Sequence, residues 1–199
     1  MDELIRAVTV AETPSQLVTA VKNLAAAKDP SAIPALIAVF GYNNPEAAIV
    51  AAAALTELGQ IAVPQLLEQI DDYNYGARAY SIRTIAAIAD PRALDILIST
   101  AKTDFAPSVR RAAIKGLGNL HWHQLEISEA ETAINRVLEA LLLICEDTDW
   151  SIRYAAVVGL QALAKVAIVQ PPILAKFQLM LTNETEKAVR ARVQLAYSQ

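Results

Sequence analysis

At 199 residues and 21.4 kDa the chain has the length of one ordinary domain or of an elongated repeat array. Its 54% apolar and 19% charged residues, with a net charge of −4, supply ample core and exclude the low-hydrophobicity, high-charge signature of disorder. A single cysteine excludes an internal disulfide framework and a zinc site built on thiolate pairs, and 17 basic against 21 acidic residues, scattered along the chain, argue against nucleic-acid binding.

In chain order, Met1 to Glu12 lacks the basic region of a signal peptide and carries Leu4, Ile5 and Val8 on one stripe, suited either to a partner subunit or to capping a first repeat. The longest unbroken apolar run, Ala47 to Leu55, is far short of a membrane span, so a cytoplasmic chain with no membrane insertion is expected. Alanine makes up about a fifth of the residues and aromatics 6%, which favours helix throughout. Thr13-Pro14-Ser15-Gln16 reads as a capping box opening the first long helix, and Ser128-Glu129-Ala130-Glu131 as another further on; Asn44-Pro45 and Asp149-Trp150 read as an N-cap followed by a first helical residue.

The chain repeats itself. Ala27 to Ile37, containing Asp29-Pro30, recurs as Ile88 to Ile98, containing Asp90-Pro91, and an intervening copy, Leu58 to Leu67, puts Pro64 where Pro34 falls. An acid is followed six residues later by arginine at Asp72 and Arg78, Asp104 and Arg110, Asp147 and Arg153, and Glu184 and Arg190. Behind the first three arginines run apolar stripes at helical spacing: Ile82, Ile85, Ile88; Ile114, Leu117, Leu120; and Val157, Leu160, Leu163. Pro34, Pro64, Pro91 and Pro171-Pro172 mark where second helices start. The Asp90-Pro91-Arg92-Ala93 turn resembles those of short HEAT-like repeats. The expected fold is therefore all-α: a right-handed α-solenoid of HEAT-like helical pairs forming one domain over 1–199, with about five pairs (approximately 13–43, 44–73, 74–104, 105–147 and 148–183) and a terminal helix at 184–199. The fourth unit is longest, its extra residues lying near His121 to Ser128 between its two helices.

His121-Trp122-His123 brings both histidines of the chain around one tryptophan. A metal would need a third ligand such as Glu126, which the spacing supports weakly, so no metal is expected; packing at a rim, or an aromatic ligand stacked on tryptophan and protonated by histidine, fits better. Cys145 falls on the stripe of Leu138, Leu141 and Leu142 and reads as a core residue. The repeated arginines either pair with an acid of their own or the neighbouring unit, holding the stack in register, or receive ligand carboxylates. Tyr73, Tyr75 and Tyr80 surround Arg78, and Trp150 and Tyr154 surround Arg153, with Arg110-Arg111 the densest local charge. No phosphate-cradling loop, glycosidase-like carboxylate pair or Ser/His/Asp arrangement stands out.

Three strings carry a more specific resemblance: Tyr73-Asn74-Tyr75-Gly76-Ala77-Arg78-Ala79-Tyr80-Ser81-Ile82-Arg83; Ser108 to Trp122, ending Leu120-His121-Trp122; and Asp149-Trp150-Ser151-Ile152-Arg153-Tyr154-Ala155-Ala156. Together they resemble the beta-subunit family of the cyanobacterial phycocyanobilin lyases. The resemblance implies a heterodimer with a HEAT-like alpha subunit that attaches phycocyanobilin, an open-chain tetrapyrrole, through a thioether to one cysteine of the alpha-phycocyanin apoprotein in phycobilisome biogenesis. Phycocyanobilin is then substrate, and no permanently bound cofactor is expected. Related heterodimers that also isomerise the bilin use a His-Cys pair; no such pair adjoins here, which argues against isomerisation. On this reading Tyr75, Arg78, Tyr80, Arg110, Arg111, Trp122, Trp150, Arg153 and Tyr154 offer cations and flat rings for the bilin, and His121 or His123 transfers a proton. The alternative is a non-catalytic HEAT scaffold for phycobilisome assembly or degradation. A surface shared by the His121–Glu126 loop and the aromatic–arginine rim favours the lyase; placement on opposite faces favours the scaffold.

Overall fold

The computed structural model describes residues 1–70 and 73–198, and every regular element among them is helical. The chain divides into two compact units, Met1–Ile88 and Ala89–Gln199.

The first unit contains α1 (Asp2–Thr9), α2 (Pro14–Ala26), α3 (Ile33–Ala38), α4 (Pro45–Leu58), α5 (Val63–Glu68) and α6 (Tyr75–Ile88). Helices α2, α4 and α6 pack side by side as one layer, with α3 against α4 and α5 as the second. Small residues make that layer close: Ala47, Ala48, Ala51 and Ala54 of α4 are all buried. The Thr13 capping box forms in full, with Thr13 Oγ1 accepting from Gln16 N–H at 3.3 Å and Gln16 Oε1 accepting from Thr13 N–H at 3.1 Å. Val8 is buried and α1 packs on α2, so the leading apolar stripe covers the first repeat. Residues Pro45–Glu68 have the summed length and hydropathy of a membrane span, yet Gly59 (φ 66) turns the chain after the 14 residues of α4. That is about 21 Å of helix, against about 30 Å of hydrocarbon.

The second unit contains α7 (Leu94–Thr103), α8 (Pro107–Leu117), α9 (Ile127–Ile144), α10 (Trp150–Leu163), α11 (Gln170–Asn183) and α12 (Lys187–Tyr197). Here α8, α10 and α12 form one layer and α7, α9 and α11 the other. The stripes read from the sequence are the core of both units: Ile82, Ile85, Ile114, Leu117, Val157, Leu160 and Leu163 are fully buried, with Ile88 and Leu120 nearly so. Burying each such side chain contributes about 1.5–3 kcal/mol. At the α8–α10 contact side chains are dispensed with: a Cβ on Gly118 would lie 2.2 Å from the Gly159 carbonyl oxygen, and one on Gly159 would lie 2.8 Å from that of Ile114.

The repeated Asp-Pro string encodes a repeated backbone device. Lys28 (φ 50) and Ala89 (φ 60) take the left-handed conformation just past a helix. The aspartate that follows caps the next turn, Asp29 Oδ1 accepting from Ser31 N–H at 2.8 Å and Asp90 Oδ1 from Arg92 N–H at 2.9 Å. The ladder acids cap in the same way: Asp104, Asp147 and Glu184 accept from the backbone N–H two residues on, that of Ala106, Asp149 and Glu186, at 2.8, 2.8 and 2.9 Å. One local expectation fails. Ser128 is inside α9, whose N-cap is Glu126 without a side-chain cap, because the 3₁₀ turn Trp122–Gln124 delivers Leu125 and Glu126 in extended conformation and the helix starts two residues early.

Candidate functional site

The ladder arginines bridge successive turns. Arg110 donates from Nε to the Ala101 carbonyl (2.9 Å) and from Nη2 to Asp147 Oδ2 (2.6 Å). Arg153 forks onto Glu184 with two 2.8 Å bonds and reaches back to the Asp147 carbonyl at 2.8 Å. Each therefore pairs with the acid of the following turn, not with the acid six residues before it. The hydrogen bond from Arg153 outweighs burial and holds the Glu184 carboxyl below the usual range. Arg111 donates to Ser151 Oγ at 3.0 Å. In the first unit the Arg78 guanidinium is buried on α6 and lies 6.0 Å from the Tyr75 ring centre. Tyr80 stacks on Phe40 at 5.6 Å, with Arg83 5.9 Å from its ring. Asp72, the first acid of the ladder, lies outside the described residues.

The insertion after α8 folds back on the Asp90 turn. His121 N–H donates to the Ala89 carbonyl at 2.9 Å, Gln124 Nε2 stands 3.3 Å from His121 Nδ1, and the His121 and His123 rings are 5.5 Å apart. Both histidines are exposed and Trp122, between them, is half-buried. Burial pushes the Asp90 carboxyl upward, but the Arg92 side-chain and backbone hydrogen bonds, its charge, and that of nearby His121 bring it below its ordinary value. Arg92 forks onto Asp90 through Nε (2.9 Å) and Nη2 (2.6 Å). Beside this turn a groove of about 560 Å³ runs between α7 and α9, lined by Arg92, Leu94, Asp95, Leu125, Ala133 and Arg136 among others. Arg136 Nη2 donates to Asp95 Oδ1 across it at 2.6 Å.

The structure does not gather all the sequence-derived candidates. Arg111–Ser151 at one end and Gly118–Gly159 at the other show that α8 and α10 run parallel. Eight residues from Ser151 to Gly159 span about 12 Å. His121, Trp122 and His123 follow the C-terminal end of α8, whereas Arg110, Arg111, Trp150, Arg153 and Tyr154 stand at the N-terminal ends of the same layer. Tyr75, Arg78 and Tyr80 belong to α6 in the first unit. Arg92 and Arg136 were not singled out from sequence: Arg92 read only as part of a turn signature, and the Arg136–Asp95 pair joins residues 41 apart, a separation that carries no local signal. Cys145 is buried and its thiol is pushed up to about 12, chiefly by desolvation, although it lines a cavity of about 300 Å³ with Asp147, Arg153 and Glu184. It is a core residue, as its place on the Leu138–Leu141 stripe implies.

Comparison with known proteins agrees with this architecture and extends it. The HEAT repeats family model matches residues 63–131 and the HEAT repeat model residues 137–167. The phycocyanobilin lyase subunit beta of Nostoc sp. (strain PCC 7120) is 65% identical over 198 residues, covering 100% of this chain and 99% of that protein. A phycocyanin alpha phycocyanobilin lyase, CpcF of Synechocystis sp., is 45% identical over 97% of this chain and 91% of its own length. Among solved structures, the complex of CpcE and CpcF of phycocyanin lyase from Nostoc sp. PCC7120 matches with a TM-score of 0.82 and 67% identity over 84% of this chain and 99% of that one. The chain belongs to the phycocyanobilin lyase beta-subunit family of HEAT-repeat proteins.

Proposed function

We infer that this chain is the beta subunit of a heterodimeric phycocyanobilin lyase, which with its alpha subunit binds phycocyanobilin and attaches it to a cysteine of alpha-phycocyanin. The observation that carries this is end-to-end identity of 65% with the Nostoc beta subunit. The reaction adds S–H across the exocyclic double bond of the bilin's first ring. A carbon–sulfur bond forms at the ethylidene carbon, a proton goes to the neighbouring ring carbon, and nothing leaves, so neither an oxidant nor a protein nucleophile is required. What a protein supplies is orientation of a floppy tetrapyrrole beside one thiol, and a proton donor.

The His121–Trp122–His123 turn is the proposed place for that work on this subunit. Its two imidazoles are exposed and 5.5 Å apart, and its backbone is tied to the Asp90 turn. Arg110 and Arg153, paired with Asp147 and Glu184, serve in this scheme to set the register of helices behind the site. Phycocyanobilin is proposed as substrate and not as a resident group, and the cyanobacterial cytoplasm as the compartment.

The scaffold alternative keeps one observation in its favour: the histidine turn and the Trp150–Arg153 rim are not gathered into one cluster but lie at the two ends of the same α8–α10 layer. Co-expression separates the two readings. The alpha-phycocyanin apoprotein is produced with phycocyanobilin synthesis and the alpha lyase subunit, with this chain present or omitted. A covalent, red-fluorescent adduct that depends on this chain is the expected result. An adduct formed equally well without it, or no adduct while the chain still binds phycobiliproteins, would transfer the argument to the scaffold.

A further inference from the structure

We propose that the groove between α7 and α9 receives the propionate carboxylates of the tetrapyrrole, with Arg92 as the fixed cation and Arg136 as the exchangeable one. The proposal rests on the lyase reading and adds the part of the substrate that this subunit grips.

The argument begins with which guanidinium groups have surface to offer. The side chains of Arg110 and Arg153 are 16% and 17% exposed, and the acids they pair with, Asp147 and Glu184, are themselves largely covered. Arg92 and Arg136, in contrast, are 50% and 49% exposed, and both border one groove. Their acids differ in kind. Asp90 is 3% exposed and takes the Arg92 fork bidentately, so it fixes that guanidinium in place. Asp95 is 81% exposed and holds Arg136 by a single bond. An ion pair so open to water contributes at most about 1 kcal/mol, so an incoming carboxylate that accepts two parallel N–H bonds from Arg136 displaces Asp95 into solvent.

The groove also suits the rest of such a ligand. About 560 Å³ is within the range of small-molecule sites. Its floor is apolar, with Leu94 and Ala133 buried and Leu125 half-buried, as the face of a conjugated ring system requires. Leu125 belongs to the insertion whose N–H bonds to the Trp122 carbonyl, so the histidine turn borders the groove. The two propionates of an open-chain tetrapyrrole stand on its two central rings, and two cations border this one groove. Glu129 lines the groove as well, but it precedes Arg136 by seven residues on α9, about 10 Å of helix and more than the ~8 Å screening length at physiological salt.

The test is an absorbance titration of the heterodimer of this chain and its alpha subunit with phycocyanobilin and, separately, its dimethyl ester. Wild type is expected to bind the free acid at least about tenfold more tightly than the ester. In Arg136→Gln most of that preference disappears, while ester binding stays within about twofold of wild type. Asp95→Asn removes both the competitor and its charge and is expected to tighten binding of the free acid several-fold, a gain that a misfolded variant does not produce. An unchanged acid-over-ester preference in Arg136→Gln, or weakened acid binding in Asp95→Asn, overturns the proposal. Binding of neither bilin form by the wild-type heterodimer, together with an adduct yield indifferent to this chain, overturns the lyase reading and this proposal with it.

Discussion

Gly118→Ala is the substitution whose consequence the packing specifies most sharply. The residue sits in helical space at φ −73, ψ −12, so alanine suits the backbone, and the loss of unfolded-state freedom alone would stabilise by about 0.4–1 kcal/mol. Its Cβ, however, would stand 2.2 Å from the Gly159 carbonyl oxygen and 2.9 Å from the Gly159 carbonyl carbon and Cα, where ordinary contact begins near 3.4 Å. All three obstacles are backbone, so no rotamer change relieves the clash, and α8 and α10 must part by about 1 Å along a tightly packed face. Overpacking of this kind costs about 1–3 kcal/mol. The upper end applies because nothing flexible gives way, and subtracting the entropic gain leaves a net loss of about 2 kcal/mol. For a chain of 199 residues that is a fall in Tm of about 4–8 °C. Urea denaturation followed by circular dichroism measures the loss, with Gly76→Ala as control, since a Cβ there meets Asn74 Oδ1 at an ordinary 3.4 Å. The control is expected to be neutral or slightly stabilising. A Gly118→Ala chain as stable as wild type would refute the close-packed α8–α10 contact, and with it the fixed base from which the histidine turn projects three residues later.

The remaining predictions concern charge and chemistry. The Glu184 carboxyl is held below its ordinary value by the Arg153 hydrogen bond, so its stabilisation is present above the unfolded value near pH 4.3 and is lost as pH falls through the lower, folded value. Glu184→Gln is expected to lower stability at neutral pH by about 3 kcal/mol, leaving a covered guanidinium without its counter-charge, and to flatten the acid limb of stability against pH; an unchanged acid limb would count against the pairing. With its thiol pushed up to about 12, Cys145 is expected to resist alkylation at pH 8 in the native protein and to react on unfolding, and Cys145→Ala is expected to leave adduct yield unchanged. Rapid native alkylation, or loss of adduct in that variant, would reopen a nucleophilic role.

The parts of this molecule that a sequence can show are those encoded within a few residues. The Asp29-Pro30 and Asp90-Pro91 strings, the Thr13 capping box and the stripes behind Arg78, Arg110 and Arg153 all became the turns, caps and buried faces they imply, because each is a local backbone or periodicity device. The same local logic misplaced the start of α9: Ser128 carries the right residue pattern, but the extended Leu125–Glu126 entry, set by the preceding 3₁₀ turn, starts the helix earlier. The six-residue spacing of acids and arginines was legible as a repeat, and pairing with an acid of the same or the neighbouring unit was one of its two readings; which acid each arginine takes was not legible. Asp147 caps its own turn while accepting the guanidinium of Arg110, 37 residues before it. The groove was least legible, since Arg92 and Arg136 reach it from a turn and from a helix whose proximity only the stacking of α7 on α9 creates. The family resemblance rested on longer strings and named the lyase directly, yet it did not indicate that His121 and Trp150 would stand at opposite ends of one helical layer.

Reconstitution from purified parts tests the central claim most directly. Alpha-phycocyanin apoprotein, phycocyanobilin and the alpha subunit are mixed with this chain or with its His121→Gln, His123→Gln double variant, and the covalent adduct is followed by fluorescence and by the mass of the cysteine peptide. Adduct on a single cysteine in the presence of the wild-type chain, and a rate reduced about a hundredfold in the double variant with bilin binding retained, is the result expected. Adduct at the wild-type rate in the double variant would contradict the role of the histidine turn, and adduct at that rate with the chain left out would contradict the assignment of lyase function to it.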